Sequence, residues 1–390
     1  MLENLPSISS DPLFDLIRKY GQDQRTEKMD LLVGVYRDEH GQTPVMKKVQ
    51  QAEQFLAAQA TSKAYRILSG NLTFNQQMAK FLLGDDHPRL NSQWTMQTVG
   101  ASAALRVLGD FIAQLSPQAT VWNTEPGYIN HRPIMEGAGL NVSSFRWQNK
   151  EGQLDIEACF ADLEAAKEGD ILLLHGCCHN PTGIDPTFEQ WQQFSTLCQQ
   201  KKLIPFIDIA YQGFGATPEE DAAGLRLMID EHEQVLVTAS CSKNMGLYCE
   251  RTGVAMVMAS KPEQVSDVRA VMERITRKLY SMPPHHGSAI ASYLFDDPQP
   301  WLEELASYRQ RVIETRQTLC HEFEALGAPS EWQAIANQKG MFSLLPLTPE
   351  QMGRLQSEFG IYGLPNGRVN LAGLKPSDIA TLAQAMVAVC

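Results

Sequence analysis

The sequence predicts an α/β fold, with a large domain whose mostly parallel sheet is sandwiched by helices and a smaller α+β domain. Two observations predict it. Through the middle of the chain, short apolar runs bounded by Gly, Asp or Pro alternate with helical patterns, as buried parallel strands and their covering helices do. After Pro300 that alternation stops and one long amphipathic pattern begins. The 390 residues allow two or three domains.

Taken in order, the first 40 or so residues show no strong periodicity. Residues 101–115 read as a helix, with Leu105, Leu108, Ile112 and Leu115 on one face. Strands are expected at 121–123, 171–174, 203–209, 235–240 and 254–259. Between the second and third, residues 187–200 repeat Phe188, Trp191, Phe194 and Leu197 every three residues, the mark of a helix face. Residues 300–326 form the long helix through Leu302, Leu305, Val312, Leu319 and Phe323. Short strands near 341–345 and 368–372 and a final helix at 377–389 complete an α+β module. The boundaries read as a large domain over 44–305 and a small domain built from 1–43, with an N-terminal arm, and 306–390.

Composition narrows the function. Hydrophobic residues make up 43% and charged residues 20%, which excludes a mainly disordered or collagen-like chain. Lys plus Arg number 33 against 45 for Asp plus Glu, a formal net charge of -12. Such a chain repels phosphate backbones and anionic lipid, so neither nucleic acid nor a membrane surface is expected as partner. No apolar stretch reaches the ~18–20 residues of a membrane helix, and the first residues lack a basic and apolar secretory signal. Eight Cys without a CxxC pair read as reduced thiols, hence a cytoplasmic location.

Four segments carry chemistry. Ser240-Cys241-Ser242-Lys243-Asn244 follows an apolar strand, where α/β sheets bind ligands. Burial there would lower the pKa of Lys243 and free its amine as a nucleophile, whereas a surface turn would leave it an ordinary solvated lysine. Asp208 interrupts the apolar run 203–209. It is either a capping residue or a buried carboxylate needing a cationic partner, such as a protonated heterocyclic nitrogen. His175-Gly176-Cys177-Cys178-His179 crowds four possible ligands into five residues, too tightly to enclose one tetrahedral ion, so no metal is expected. Asn180-Pro181-Thr182-Gly183 reads as a tight turn. Gly100-Ala101-Ser102 opens a helix whose free N–H groups make a possible phosphate seat.

Together these segments resemble the class I pyridoxal-phosphate-dependent aminotransferases, in the branch of aspartate and aromatic amino-acid aminotransferases. The resemblance runs from Asp11 to the C-terminus and rests on HGCCHNPTGIDP (175–186), DIAYQGF (208–214), SKNMGLYCER (242–251) and GRVNLAG (367–373). It implies a fold-type I enzyme with pyridoxal 5′-phosphate as cofactor. Lys243 is implied to hold the cofactor covalently and to shuttle the proton at the substrate Cα. Asp208 is implied to pair with the pyridinium nitrogen, with His131 behind it. Tyr211 and Asn180 would bind the phenolic oxygen. Ala101, Ser102, Ser240, Ser242 and Arg251 would hold the phosphate, with Tyr65 reaching it from a partner subunit. Tyr128 would stack on the ring. Arg368 would grip the substrate α-carboxylate, beside Gly34, Asn180 and Tyr128, and Arg277 of the partner would take a side-chain carboxylate. Two active sites shared across a homodimer follow from this.

The chain departs from the family where a Trp usually stacks and Tyr128 stands, and where Gly-Gly-Thr or Gly-Gly-Ser is usual and Gly100-Ala101-Ser102 stands. Ala64 and Met282 occupy positions that are usually Asn in aspartate-preferring members, and Ser102 one that is usually Thr. These changes point to transfer of the amino group of an aromatic (Tyr, Phe or Trp) or dicarboxylic amino acid to 2-oxoglutarate, in a ping-pong cycle through pyridoxamine phosphate. The alternative is an aspartate aminotransferase with strict dicarboxylate preference.

Overall fold

A computed structural model describes residues 12–390; residues 1–11 of the expected N-terminal arm lie outside the described residues. The strands in chain order are β1 (Met29–Asp30), β2 (Gln93–Val99), β3 (Thr120–Glu125), β4 (Asn141–Arg146), β5 (Ile171–His175), β6 (Ile204–Ile209), β7 (Val235–Ser240), β8 (Thr252–Met258), β9 (Phe342–Leu344), β10 (Ile361–Tyr362) and β11 (Arg368–Asn370). The chain divides into two units. One is Pro44–Arg311 with Asn337–Gly340; the other joins the residues up to Thr43 to Val312–Ala336 and Met341–Cys390. The division falls inside the long helix Gln299–Ala325.

The first unit is built on a seven-stranded sheet of order β2-β8-β7-β6-β5-β3-β4. Strands β3 to β7 run parallel, and β8 is antiparallel to both its neighbours. The five strands of this sheet foreseen from sequence are β3 and β5 to β8, of which β5 to β8 are buried and mainly apolar. Edge strands β2 (QWTMQTV) and β4 (NVSSFR) carry polar residues and no continuous apolar run, which is why periodicity does not expose them.

Helices cover the sheet. Leu105, Leu108 and Ile112 of the helix Gly100–Leu115 enter the core beside Val121, Leu173, Phe206 and Val257. Leu115 itself is 58% exposed, as is Phe188 at 52%. Both sit at helix ends, where a three-residue pattern overruns the buried face. Trp191, Phe194 and Leu197 of the helix Phe188–Lys201 are buried as expected.

In the second unit β1 pairs in parallel with β10, and β9 antiparallel with β11. Leu319 and Phe323 of the long helix, Leu355, Ile361, Val369 and Leu382 form its own core. The final helix is Ile379–Ala388.

Candidate active site

The carboxyl ends of β5, β6 and β7 converge on a cavity of about 220 Å³ in the first unit. This is the end of a parallel sheet at which ligands bind. A second cavity of about 290 Å³ lies at the opposite, amino-terminal end, under Ile171, Ile204 and Leu236, and its lining is mainly apolar.

At the floor stands Asp208, in register with His175 on β5 and Thr238 on β7. Its carboxylate is 7% exposed. Thr238 Oγ1 donates to Oδ1 at 2.8 Å, and His131 Nε2 lies 2.9 Å from Oδ2. An ionised carboxylate only accepts, so His131 carries a proton on Nε2. Burial alone would raise the Asp208 carboxyl; the bonds from His131 and Thr238 outweigh it and hold it below its ordinary value.

Behind Asp208 the rings of His131, His175 and His179 follow one another at 5.0 and 4.2 Å, and His179 stacks on Trp147 at 4.5 Å. Burial, with the neighbouring His131, lowers His175 to about 3, and burial also pushes His179 well down. His175 Nδ1 accepts from the Asn180 N–H at 3.2 Å. His175 and His179 are therefore neutral imidazoles behind a charged carboxylate.

Lys243 enters the cavity from the loop after β7. Burial, with Arg251 adding to it and Asp208 opposing, lowers its amine to about 8. Its Nζ sits 4.8 Å from the Tyr211 ring centroid.

Beside Lys243 the cavity gathers groups that suit an anion. The helix Gly100–Leu115 opens here, presenting N–H groups that no helical carbonyl satisfies. Ala101, Ser102, Ser240, Ser242 and Arg251 line the same cavity. Gly100 has φ +69, and a Cβ on it would stand 2.5 Å from Arg251 Nη2. Glycine takes this backbone without strain and leaves room for that guanidinium.

The structure thus brings Ala101, Ser102, Tyr128, Asn180, Asp208, Tyr211, Ser240, Ser242, Lys243 and Arg251 around one cavity, with His131 behind Asp208. Tyr128 packs edge-on against His131 at 5.1 Å. Tyr65 is outside the cavity and 94% exposed. Arg277 is exposed in the last turn of the helix Val265–Leu279. Met282 Sδ accepts from the Arg66 N–H at 3.3 Å, close in sequence to Ala64. Gly34 and Arg368 belong to the second unit. There the Arg368 guanidinium lies 4.7 Å from the Phe342 ring centroid and donates to the Leu32 carbonyl at 2.8 Å. Gly34 abuts the same ring, and a Cβ on it would meet Phe342 at 2.5 Å.

Sequence reasoning does not single out Thr238 or the ring stack behind Asp208. The Thr238 hydroxyl is recognisable only once register places it opposite Asp208. Cys177, Cys178 and Asp221 bring their side chains within 4.8 Å of one another, all buried. Burial pushes the Cys178 thiol up to about 12 and Cys177 well above its ordinary value.

A half-buried lysine and a buried carboxylate beside groups that suit an anion, at the carboxyl end of a parallel sheet, fit an enzyme site for a phosphorylated heterocycle. The family model for aminotransferase class I and II matches residues 26–386, and the chain belongs to that family. It is 40% identical to the aspartate aminotransferase of Escherichia coli (strain K12) over 100% of both chains. It is 39% identical to an aromatic-amino-acid aminotransferase of Pseudomonas aeruginosa, covering 98% of this chain and 97% of that one. Among solved structures, an aromatic-amino-acid aminotransferase from Burkholderia pseudomallei, covalently bound to pyridoxal phosphate, superposes with a TM-score of 0.97. That pair is 34% identical, covering 100% of this chain and 99% of the other.

Proposed function

We propose that this chain is a pyridoxal 5′-phosphate-dependent aminotransferase that moves the amino group of an aromatic or dicarboxylic amino acid to 2-oxoglutarate. One observation carries the reading: Lys243, with its lowered pKa, and Asp208, held ionised by His131 and Thr238, share a cavity with an anion seat.

The residues fit the cofactor. Ser102, Ser240, Ser242 and Arg251, with the helix N–H groups at Ala101 and Ser102, would hold the phosphate. Asp208 would keep a proton on the ring nitrogen. Asn180 and Tyr211 would donate to the phenolic oxygen, and Tyr128 would lie on the ring face. When bound, pyridoxal phosphate supplies an electron sink for charge developing at the substrate Cα. Lys243 would attach the cofactor and, once released, carry the proton from that carbon. Arg368 would clamp the α-carboxylate beside Gly34.

Selectivity follows from the rim. Ala64 and Met282 offer small and adaptable apolar contact to an aromatic ring. Arg277 would meet a dicarboxylate and swing out on its long stem for a ring. A strict aspartate enzyme is the second reading, favoured by the presence of Arg277.

The working form is proposed to be a homodimer with Tyr65 and Arg277 crossing to the partner's site; the 94% exposure of Tyr65 supports this. All eight cysteines are free thiols, which supports a cytoplasmic location. No helix among the described residues is long and apolar enough to cross a membrane.

The test is spectroscopic. The purified protein should absorb in the visible, and that absorption should fall on adding tyrosine, phenylalanine or aspartate. A protein that carries the cofactor and keeps its absorption with every donor would refute transamination.

A further inference from the structure

Strand pairing between β6 and β7 ends at Ile209↔Ala239. Tyr211 and Lys243 lie beyond that point, on two separate loops, so the sheet does not fix the distance between them. Asn244 does. It follows Lys243, is 2% exposed and lies outside the cavity lining. Its Nδ2 donates to the carbonyl of Gln212, the residue after Tyr211, at 3.2 Å. Gln212 is anchored in turn, its Nε2 donating to the carbonyls of Phe81 at 3.2 Å and Pro218 at 3.0 Å.

The other side of Asn244 is also held. Its backbone carbonyl accepts from Trp301 Nε1 at 2.6 Å. Trp301 is fully buried, its ring 5.6 Å from each of Phe81 and Phe295. A buried indole N–H needs a partner, and its rigid ring fixes where that partner stands. Phe81 therefore both packs on Trp301 and accepts from Gln212, closing a loop of contacts around the two segments.

We propose that Asn244, backed by Trp301, is a positioning residue for Lys243. It ties the lysine loop to the tyrosine loop and so sets the separation of the Lys243 amine from Tyr211. This rests on the reading of Lys243 as the amine that attaches the cofactor. A small displacement of such a group costs rate far out of proportion to the bond lost.

The test compares holoenzymes. Asn244→Leu keeps the approximate shape and removes the donor to Gln212. Trp301→Phe keeps a buried ring and removes only the N–H. Asn244→Leu should lower kcat about tenfold with KM within about twofold. It should also move the midpoint pH of the cofactor's visible absorption by at least about half a unit. Trp301→Phe should do the same more weakly, and it decides alone if Asn244→Leu fails to fold. Lower thermal stability with wild-type kcat and wild-type midpoint in both variants would show a merely structural role and overturn the proposal. If the wild-type protein itself has no pH-dependent visible absorption, the reading of Lys243 falls, and this inference with it.

Discussion

Asp208 and Arg277 are both charged, and both are proposed to face the reacting molecule, yet their surroundings are opposite. Asp208 is 7% exposed, in register with two neighbouring strands, and bonded by His131 and Thr238. Arg277 is exposed at the last turn of a helix. The difference separates two tasks. Charge that stabilises the reaction must be fixed before it occurs, and a dry, bonded site does this without reorganisation. Charge that chooses among substrates gains from freedom to engage or withdraw, which a long exposed side chain has. The neutral His175 and His179 fit the first task, since they back Asp208 without adding a competing charge.

Variants can break this division. The largest effect is expected at Lys243: Lys243→Ala should retain cofactor in the anion seat and lose turnover. Full activity in that variant would remove Lys243 from the mechanism. Asp208→Asn should keep the fold and lose about two to four orders of magnitude in rate. Its amide can bond the ring nitrogen but not its charge, and losing such a buried partner costs ~3–5 kcal/mol. A loss under about tenfold would mean that Asp208 does not hold a pyridinium.

If the rim is supplied by a partner, inactive Lys243→Ala and Arg277→Ala chains should partly rescue each other when mixed after dissociation, assayed with aspartate. One site in each mixed dimer would regain both residues. Absence of rescue, with mixed dimers shown to form, would place Arg277 in its own subunit's site. A smaller effect is expected at Thr238. Thr238→Val removes one bond to a charged carboxylate, worth ~1.5–3 kcal/mol, so turnover should fall by roughly one to two orders of magnitude, less than in Asp208→Asn. With one bond gone, the Asp208 carboxyl should rise, so activity on the acid side should be lost at higher pH than in the wild type. An unchanged acid limb would show that Thr238 does not help to hold Asp208 ionised.

The same division governs what the sequence discloses. Strands β5 to β8 are legible because strands buried on both faces become continuous apolar runs. Asp208 is legible for the same reason, as an acid breaking such a run. Edge strands β2 and β4, with polar residues and less burial, are not. The reversed direction of β8 leaves no local mark, because an antiparallel buried strand reads like a parallel one. Lys243 is ambiguous until the fold brings it into the cavity beside Asp208, and the parts of Thr238, Asn244 and Trp301 depend on register and long-range contact. Tyr65, Arg277, Gly34 and Arg368 are singled out only by family resemblance, since lone arginines and a glycine carry no periodic signal.

The central claim is that a fixed interior performs the chemistry while an exposed rim selects the substrate. Its most direct test is the donor half-reaction without acceptor, followed by loss of visible absorption in wild-type protein and Arg277→Ala. Truncating one member of a partly dry charge pair costs ~2–5 kcal/mol, whereas an aromatic ring depends on apolar burial. The rate constant per unit aspartate should therefore fall by about two orders of magnitude or more, and that for phenylalanine by less than about tenfold. Equal losses on both donors would make Arg277 a structural or interface residue and contradict the division.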